Sequence, residues 1–377
     1  MRIDEFKLEK WLNPRDGCKY NLGASCVKAY TMDELFQVIG EDMEAFVEEL
    51  KSLSLHYGPF AGNERLLTAL SKMYKGVSPD MVLTVHGGTG ANDMVADELL
   101  EQGDNIVVFM PNYQQHYSGP QCLGIETRFL ELKEEDGYLP NLEALQGLID
   151  EKTKMIVFTN PNNPTGAYMG EEMLKEIANI AREADAYVLS DEIYKGLMPQ
   201  YMPSMVDLYE KAVVTNSTSK VFSMAGLRIG WVVTKDRQAL ERLTNRRSYN
   251  TVSDGVFDEW LAAMAFEHYD KILERSRKIV EKSKAIFKEW MKTQPHLSCD
   301  YEGWGTTVLV KYDYDIPSDV LCRDIFEKTD VLLCYGDCFE APHSFRLGYS
   351  FGKPEVFAEG LKQLGNYFKE LDQKPAE

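Results

Sequence analysis

Between residues 81 and 234, short apolar runs alternate with longer stretches in which apolar side chains recur at helical spacing. Almost continuously apolar runs that are separated by helices are typical of a parallel sheet covered by helices on both faces. The pattern predicts strands at residues 81–85, 106–110, 127–130, 155–159, 187–189, 212–215 and 229–234, with helices at residues 91–100, 142–149 and 171–184. The sequence therefore predicts an α/β fold whose large domain contains a mostly parallel seven-stranded sheet.

The chain before and after this region has other patterns. The first thirty residues contain a turn-rich arm, and helical spacing follows at residues 32–50. Asn63 is a candidate cap for a further helix. Residues 255–290 are largely helical in pattern and charged on one side, which indicates helices that connect two parts of the molecule.

The last ninety residues mix strands with helices, which indicates a smaller α+β domain. The strands predicted there are residues 307–310, 331–333 and 345–347. We predict four segments: an N-terminal arm and helix that belong to the small domain (1–50), the large domain (51–250), connecting helices (251–290) and the C-terminal small domain (291–377).

The composition is that of an ordinary globular protein, with 377 residues of which 44% are hydrophobic and 27% charged. No stretch is long and apolar enough to span a membrane, and the first ten residues lack the apolar core of a secretory signal. The net charge of −19 argues against a nucleic-acid partner, because phosphate backbones require a basic face.

The seven cysteines are scattered and odd in number, which favours reduced thiols and a cytoplasmic location. Cys334 and Cys338 are four positions apart, but no second Cys or His pair completes a zinc site. We therefore predict a cytoplasmic protein with no metal site and no membrane segment.

Lys220 lies in a run of small hydroxyl residues between two predicted strands, and Arg228 follows eight positions later. Burial disfavours the charged form of an amine, and a deprotonated amine can form a Schiff base with a carbonyl. A solvated loop lysine is the alternative. Ser217 and Lys220 also match the Ser-x-x-Lys spacing of penicillin-binding enzymes, but the Ser-Asp-Asn and Lys-Thr-Gly segments of those enzymes are absent.

A glycine-rich turn, with Gly88, Thr89 and Gly90, lies between a predicted strand and a predicted helix. Backbone N–H groups at the start of a helix form a pocket suited to phosphate. Neither common nucleotide motif is met, because Asp93 occupies the third glycine position of the dinucleotide motif and the P-loop Gly-Lys-Ser/Thr is absent. A tight turn that requires glycine is the alternative.

Polar residues follow two other predicted strands. The segment Asn-Pro-Asn-Asn-Pro-Thr-Gly at residues 160–166 has a stiff backbone that leaves Asn162 and Asn163 to face a ligand, unless it is only a rigid surface loop. Asp191 emerges from a buried strand, where an ionised carboxylate requires a cation. Tyr194 could reach the same side. The alternative for Asp191 is a solvated acid at the end of a strand.

These segments lie at strand ends, where open α/β sheets bind their ligands. An imine-forming lysine, an acid that faces a cation and a phosphate pocket together fit a pyridine aldehyde phosphate. Its aldehyde would take the lysine, and the carboxylate would keep the ring nitrogen protonated. The ring would then act as an electron sink for a carbanion at the substrate α-carbon.

With these residues in place, the chain resembles the class I/II aminotransferases, which are pyridoxal-phosphate (PLP) enzymes of fold type I. The resemblance extends from about residue 20 to about residue 365. Its motifs are Asn-Pro-Asn-Asn-Pro-Thr-Gly at 160–166, Ser-Asp-Glu-Ile-Tyr at 190–194, Ser-Thr-Ser-Lys at 217–220 and Gly-Leu-Arg-Ile-Gly at 226–230. Together, in this order and spacing, they are highly specific.

The resemblance implies roles around the cofactor ring. Lys220 would carry the cofactor as an aldimine and later move the proton between the α-carbon and the cofactor. Asp191 would pair with the pyridine nitrogen. Asn163 and Tyr194 would hydrogen-bond to the phenolic oxygen, and Tyr113 would stack on the ring face.

The resemblance also implies a phosphate site and a dimer. Thr89, Gly90, Ser217 and Arg228 would hold the phosphate. Tyr57 resembles the tyrosine that reaches the phosphate bound by the partner subunit. A homodimer with shared active sites is therefore implied.

For the substrate, Arg346 matches the arginine that clamps the α-carboxylate by a two-pronged contact, with an ion-paired structural arginine as the alternative. Asn163 would also face the substrate. Where family members often carry a Gly/Pro-rich run, the arm here reads Leu-Gly-Ala-Ser-Cys-Val at residues 22–27. Gly23 is expected to line the site. Because of this departure, the resemblance does not define the pocket for the substrate side chain.

The resemblance implies a transaminase that moves an amino group from an amino acid to a 2-oxo acid. A carbon–sulfur β-lyase or a cyclising enzyme of the same fold is the first alternative, because groups beyond the α-carbon decide the outcome. A non-enzymatic regulator is the second alternative. The net charge of −19 and the short segment before the first predicted helix argue against the fused DNA-binding domain of such regulators.

Overall fold

A computed structural model describes residues 2–300 and 302–373. The outer ends of the predicted domains, residue 1 and residues 374–377, lie outside the described residues. The helices are α1 (Lys7–Leu12), α2 (Met32–Ile39), α3 (Met43–Lys51), α4 (Glu64–Ser71), α5 (Gly87–Leu99), α6 (Gln115–Cys122), α7 (Leu142–Gly147), α8 (Glu171–Glu183), α9 (Met205–Leu208), α10 (Arg237–Asn250), α11 (Val256–Phe266), α12 (Tyr269–Met291), α13 (Ser318–Thr329) and α14 (Pro354–Asp372).

The strands are β1 (Tyr20–Asn21), β2 (Val82–His86), β3 (Asn105–Met110), β4 (Glu126–Glu131), β5 (Thr153–Thr159), β6 (Tyr187–Asp191), β7 (Ala212–Ser217), β8 (Ile229–Thr234), β9 (Leu297–Ser298), β10 (Thr307–Tyr312), β11 (Val331–Leu332), β12 (Cys334–Tyr335) and β13 (Ser344–Gly348). Short 3-10 helices are found at Asn13–Arg15, Pro79–Met81, Glu134–Asp136, Ala225–Leu227 and Gly336–Phe339.

The large sheet has seven strands in the order β2-β8-β7-β6-β5-β3-β4. β4, β3, β5, β6 and β7 pair in parallel, whereas β8 runs antiparallel to both of its neighbours. The predicted mostly parallel seven-stranded sheet is confirmed. Because β8 runs the other way, its first residue lies at the edge where the parallel strands end.

The central strands are apolar on both faces because each face packs in a separate core. In β3, Val107 and Phe109 belong to one hydrophobic core and Ile106 and Val108 to another, and all four are fully buried. Alternation of side chains along a strand places successive residues on opposite faces. This explains why the sequence pattern of these strands is a continuous apolar run.

A smaller unit surrounds a four-stranded antiparallel sheet, in the order β12-β13-β10-β9. Trp11, Tyr20 and Leu22 of the N-terminal arm pack in its core, and β1 pairs with β11 beside it. The side chains of Leu35 and Phe46, from α2 and α3, lie instead in the core that contains the large sheet. The predicted domain boundaries stay a prediction.

The predicted helix over residues 32–50 is divided in the structure. α2 ends at Ile39, and the Gly40 that caps it has a left-handed φ of 80°, a conformation that glycine adopts at little cost. The Asp42 side chain then caps α3 through the backbone N–H groups of Glu44 and Ala45. Among residues 2–300 and 302–373, no helix combines the length and apolar character required to cross a bilayer.

Candidate active site

The edge where the parallel strands of the large sheet end borders a cavity of about 290 Å³. Segments that follow β2, β3, β5, β6 and β7, and the residue that precedes β8, all contribute to its wall. The residues predicted for the site that line this cavity are Thr89, Tyr113, Asn163, Asp191, Tyr194, Lys220, Arg228 and Arg346. Residues far apart in the sequence thus meet at one edge of the sheet, as expected for an open α/β sheet.

Asp191 is the buried carboxylate of the cavity. Its Oδ2 accepts a hydrogen bond from Asn92 Nδ2 at 3.0 Å and lies 3.1 Å from His116 Nε2. Its Oδ1 accepts from the backbone N–H of Ile193 at 3.1 Å. These contacts fix the orientation of the carboxylate at the end of β6.

Asn92 and His116 were not predicted from the sequence. Both are buried, and both contact Asp191. Neither belongs to a recognisable sequence motif. The available signals were weak: Asn92 lies two positions after Gly90, and His116 is one of six histidines in the chain. A lone Asn or His forms no spaced motif, so the sequence does not link it to a carboxylate that is distant along the chain.

The first turn of α5 forms the anion-binding part of the site. The helix begins at Gly87, four residues before the predicted start, so the N–H groups around Gly88 and Thr89 belong to its unpaired first turn. A Cβ on Gly88 would lie 3.0 Å from Ile193 and 3.5 Å from Ser217. The absence of a side chain therefore keeps this part of the backbone close to β7.

Arg228 adds a positive charge beside this turn. It is exposed, has a left-handed φ of 53°, and a Cβ on Gly87 would lie 2.5 Å from its Nη2. Its Nη1 donates to the Ala225 carbonyl at 3.0 Å, and no carboxylate of the described residues lies within 4.0 Å of the guanidinium. A helix N-terminus and an unpaired arginine together suit a phosphate group.

Lys220 is half-buried in the wall of the cavity, and its carbonyl accepts from the N–H of Val27 at 3.0 Å. The pKa of the Lys220 amine is raised above its usual value. Burial alone would lower it, but the Cys26 thiol and the phenols of Tyr194 and Tyr113 favour the ammonium form more strongly. The lowered pKa expected from the sequence is therefore wrong for the chain alone, because polar groups surround the amine. The Lys220 amine becomes a nucleophile only after it loses a proton.

Arg346 is buried in the wall of the same cavity. Its Nη1 donates to Asn163 Oδ1 at 3.0 Å, and its Nη2 donates to the Gly23 carbonyl at 2.7 Å and lies 3.3 Å from Cys334 Sγ. Its Nε is buried without a hydrogen-bond partner. No carboxylate of the described residues pairs with this guanidinium, so the ion-paired structural arginine considered as an alternative is not what the structure shows.

Four predicted site residues lie outside the cavity wall. Gly23 contacts the site through its carbonyl, and buried Ser217 lies behind Gly88 with its Oγ accepting from the N–H of Ser219 at 3.2 Å. Gly90 lies in the first turn of α5. Tyr57 is 71% exposed on a loop outside the cavity, so its predicted contact requires a second copy of the chain. The roles of these four residues stay predictions.

The N-terminal arm supplies cavity residues that the sequence did not predict. Leu8, Glu9 and Leu12 of α1 line the cavity, together with the segment at residues 24–26. The Tyr194 hydroxyl donates to Ser25 Oγ at 3.1 Å. The unusual arm is therefore part of the wall around the site.

Comparison with known proteins identifies the family. Residues 26–364 match the family described as aminotransferase class I and II. The chain belongs to this family. A crystal structure of a PLP-dependent aminotransferase from Streptococcus suis is 36% identical, covers 100% of both chains and superposes with a TM-score of 0.95. The predicted fold type I is thereby confirmed, and the protein is a PLP-dependent aminotransferase that acts on amino acids and oxo acids.

Two relatives carry the names of different enzymes. Capreomycidine synthase from Streptomyces vinaceus is 26% identical over 93% of this chain and 90% of its own length. An aspartate aminotransferase from Thermotoga maritima is 25% identical over 82% of this chain and 81% of its own length. Membership of the family therefore leaves the substrate of this aminotransferase open.

The cavity fits the cofactor of the family. A primary amine (Lys220) and a fixed carboxylate (Asp191) line one cavity, as the aldehyde and the ring nitrogen require. The first turn of α5 and Arg228 suit the phosphate, and the unpaired guanidinium of Arg346 suits a substrate carboxylate. The residues present thus suit the aldehyde, the ring nitrogen and the phosphate of PLP.

Proposed function

We propose that this aminotransferase binds PLP through Lys220 and transfers an amino group from an amino acid to a 2-oxo acid. When bound, PLP supplies a pyridinium ring that withdraws electrons from the substrate α-carbon. Asp191 keeps the ring nitrogen protonated, Arg346 holds the substrate carboxylate and the Lys220 amine moves a proton at the α-carbon. The observation that carries the proposal is one cavity that holds a primary amine, a fixed carboxylate and a buried arginine without a countercharge.

Lys220→Ala tests the attachment of PLP. The wild-type protein with added PLP should show the absorbance band of a protein-bound Schiff base, and Lys220→Ala should abolish the band and reduce turnover at least about a thousandfold, because the nucleophile is absent. Borohydride reduction followed by peptide mass spectrometry locates the modified lysine.

Lys284→Ala is the matched control. Burial and the neighbouring Lys288 lower the pKa of the Lys284 amine to about 8, so it would be the more reactive lysine if amine pKa alone decided where PLP attaches. The control should retain the band. A band that persists in Lys220→Ala, or a wild-type protein that takes up no PLP, would contradict the proposal.

A cyclising reaction is the second candidate, and the likeness to capreomycidine synthase over 93% of the chain is consistent with it. Incubation of the PLP-loaded protein with single amino acids distinguishes the outcomes. A new amino acid that forms only when an oxo acid is supplied indicates transamination. A cyclised product without an oxo acid indicates the second candidate, and pyruvate with ammonia indicates a lyase.

A cytoplasmic homodimer with shared sites completes the proposal. The exposed Tyr57 and Phe60 lie on a loop held against Arg247 and Glu259, where a second copy could cover them. The free cysteines are consistent with a reducing compartment.

A further inference from the structure

The cavity contains one acid that the reaction does not use. Of the described residues that line it, only Asp191 and Glu9 carry carboxylates. Asp191 is held by Asn92 and His116 and is assigned to the ring nitrogen. Glu9 comes from α1, outside the sheet edge that provides the other charged groups.

Glu9 has no cationic partner among residues 2–300 and 302–373. Its neighbours on α1 are paired elsewhere, Lys7 with Glu340 at 2.6 Å and Lys10 with Glu5 at 2.6 Å. The contact of Glu9 is the Tyr113 hydroxyl, which donates to its Oε1 at 3.4 Å. A partly buried carboxylate with a single long hydrogen bond is available to a cationic ligand.

Glu9 and Arg346 both line the cavity and are linked through their neighbours. Tyr113, which contacts Glu9, packs against the small apolar cluster that contains Leu8 of α1 and Cys334. Burial raises the pKa of the Cys334 thiol, which Arg346 lowers and Glu9 raises, and the Arg346 Nη2 lies 3.3 Å from this thiol. Glu9 also adds to the effect of burial in raising the pKa of Tyr113, whereas Lys220 and Arg346 oppose it. The side chains of Cys334 and Tyr113 are thus within electrostatic reach of both Glu9 and Arg346.

The three cations of the cavity have other roles. Lys220 binds the cofactor, Arg228 lies at the phosphate end and Arg346 receives the substrate α-carboxylate. Among the described residues of one chain that line the cavity, no further cation remains for a second carboxylate at the end of a substrate side chain. The distal carboxylate of a dicarboxylic substrate would lie in the same cavity as the carboxylate of Glu9. Repulsion between the two negative charges disfavours binding.

We propose that Glu9 is a specificity-determining residue that selects amino acids whose side chain ends in an ammonium or guanidinium group. This inference rests on the proposed function, because it assumes that Arg346 holds the α-carboxylate. A cationic side chain pairs with Glu9 and leaves Arg346 and Lys220 to their roles. The selectivity differs from that named for the aspartate aminotransferase relative.

Binding of two inert probes tests the inference without turnover. 4-Guanidinobutanoate carries a carboxylate for Arg346 and a guanidinium for Glu9, whereas glutarate carries two carboxylates. Titration calorimetry on the PLP-loaded protein should give 4-guanidinobutanoate about tenfold or more the affinity of glutarate. Glu9→Gln should remove this preference, and Glu9→Lys should reverse it.

Glu5→Gln is the matched control, because Glu5 lies next to the same helix and pairs with Lys10 at the surface. It should retain the preference of the wild type. Glu9→Gln still offers an acceptor to Tyr113, so a merely structural role of Glu9 would leave the ratio of affinities unchanged and overturn the inference. A wild-type preference for glutarate would overturn it as well.

Half-reactions extend the test to substrates. Conversion of the cofactor absorbance by arginine, lysine and ornithine should have a kcat/KM about tenfold or more above that for aspartate and glutamate, and Glu9→Gln should remove the difference. If the Lys220-dependent band forms and acidic amino acids react faster, the role of Glu9 is wrong and the proposed function stands. If the band does not form at all, both are wrong.

Discussion

At the scale of single residues, Asp191 shows how the site stabilises a buried acid. The sequence predicts that a cation must pair with this carboxylate, but its protein partners are an amide, a histidine and a backbone N–H group. Hydrogen bonds of this kind fix the orientation of the carboxylate and leave its oxygens able to accept a further hydrogen bond. In the proposed function, the cation that pairs with Asp191 is the pyridinium nitrogen of PLP.

His116→Phe should weaken PLP binding, because it removes a donor that orients Asp191. Loss of one hydrogen bond to a buried carboxylate costs about 1–3 kcal/mol, so we expect the dissociation constant of PLP to rise about tenfold. The band of the bound cofactor should shift as well, because its ring nitrogen loses a fixed partner. Absorbance titration with PLP measures both.

Two variants separate positioning from folding. His116→Gln keeps a donor and should recover most of the affinity and the wild-type band. His268→Phe breaks a surface pair in which the ring lies 2.7 Å from Glu41, and it should leave PLP binding unchanged. Equal effects of His116→Phe and His116→Gln would show that His116 does not act through its hydrogen bond to Asp191.

At the scale of secondary structure, the buried strands were the most predictable elements. β8 has the predicted bounds, and the other strands of the large sheet agree within two residues at each end, because a strand buried on both faces is continuously apolar. The two-residue strands β1, β9 and β12 were not predicted. Their pairing depends on neighbours that are distant in sequence, such as β11 for β1.

α1 was not predicted for a related reason. A six-residue helix is unstable on its own, and α1 forms here because it is docked at both ends. The Trp11 indole donates to the Leu333 carbonyl at 2.6 Å, and the Lys7 N–H donates to Gln114 Oε1 at 2.9 Å. Glu9 therefore reaches the cavity through contacts that no local pattern records.

Trp11→Phe should loosen α1, because it keeps an aromatic ring but removes the indole donor. The buried Leu333 carbonyl loses its side-chain partner, which should reduce the free energy of unfolding by about 1 kcal/mol. Denaturant titration measures this change. Hydrogen exchange should show lower protection at residues 7–12, where the helix is docked.

Trp290→Phe is the matched control. The Trp290 indole N–H is buried and has no hydrogen-bond partner among the described residues, so its removal should be neutral or slightly stabilising. If both variants lose the same stability, ring volume rather than the hydrogen bond of Trp11 holds α1.

The candidate site was predictable where chemistry is encoded in short motifs. Asp191 is the last residue of β6, and Lys220, Asn163 and Arg228 follow or precede other strands of the sheet. All four meet in one cavity. The residues that were missed, Glu9 among them, reach the cavity through tertiary contacts. Motifs thus predict the cofactor site, whereas the proposed determinant of substrate choice, Glu9, comes from the N-terminal arm, where no motif marks it.

At the scale of the whole molecule, the loop that carries Tyr57 is held by hydrogen bonds to its backbone, whereas its aromatic side chains are exposed. The Arg247 guanidinium donates to the Phe60 carbonyl, and Glu259 accepts from the N–H of Asn63 at 3.1 Å. Burial raises the pKa of Glu259. The side chains of Tyr57 and Phe60 remain largely exposed, as is the nearby Tyr249 at 80%, and exposed aromatic groups of this kind are typical of interfaces.

Phe60→Asp should weaken the proposed homodimer, because it places a charge where apolar side chains would meet. Its backbone contact with Arg247 does not require the side chain, so the monomer fold should be retained. A central aromatic contact contributes about 2 kcal/mol, so we expect the dimer dissociation constant measured by sedimentation to rise about thirtyfold. Phe129→Asp, at an exposed position on β4, is the control and should leave the dimer unchanged.

Affinity for PLP shows whether this surface completes the active site. If Tyr57 reaches the phosphate bound by the partner subunit, Phe60→Asp should weaken PLP binding at protein concentrations where it is monomeric and recover it at concentrations where it dimerises. Tyr57→Phe should weaken PLP binding without changing the dimer, because it removes only a hydroxyl. A Phe60→Asp monomer that binds PLP as tightly as the wild type would show that each subunit holds its cofactor without help from the partner.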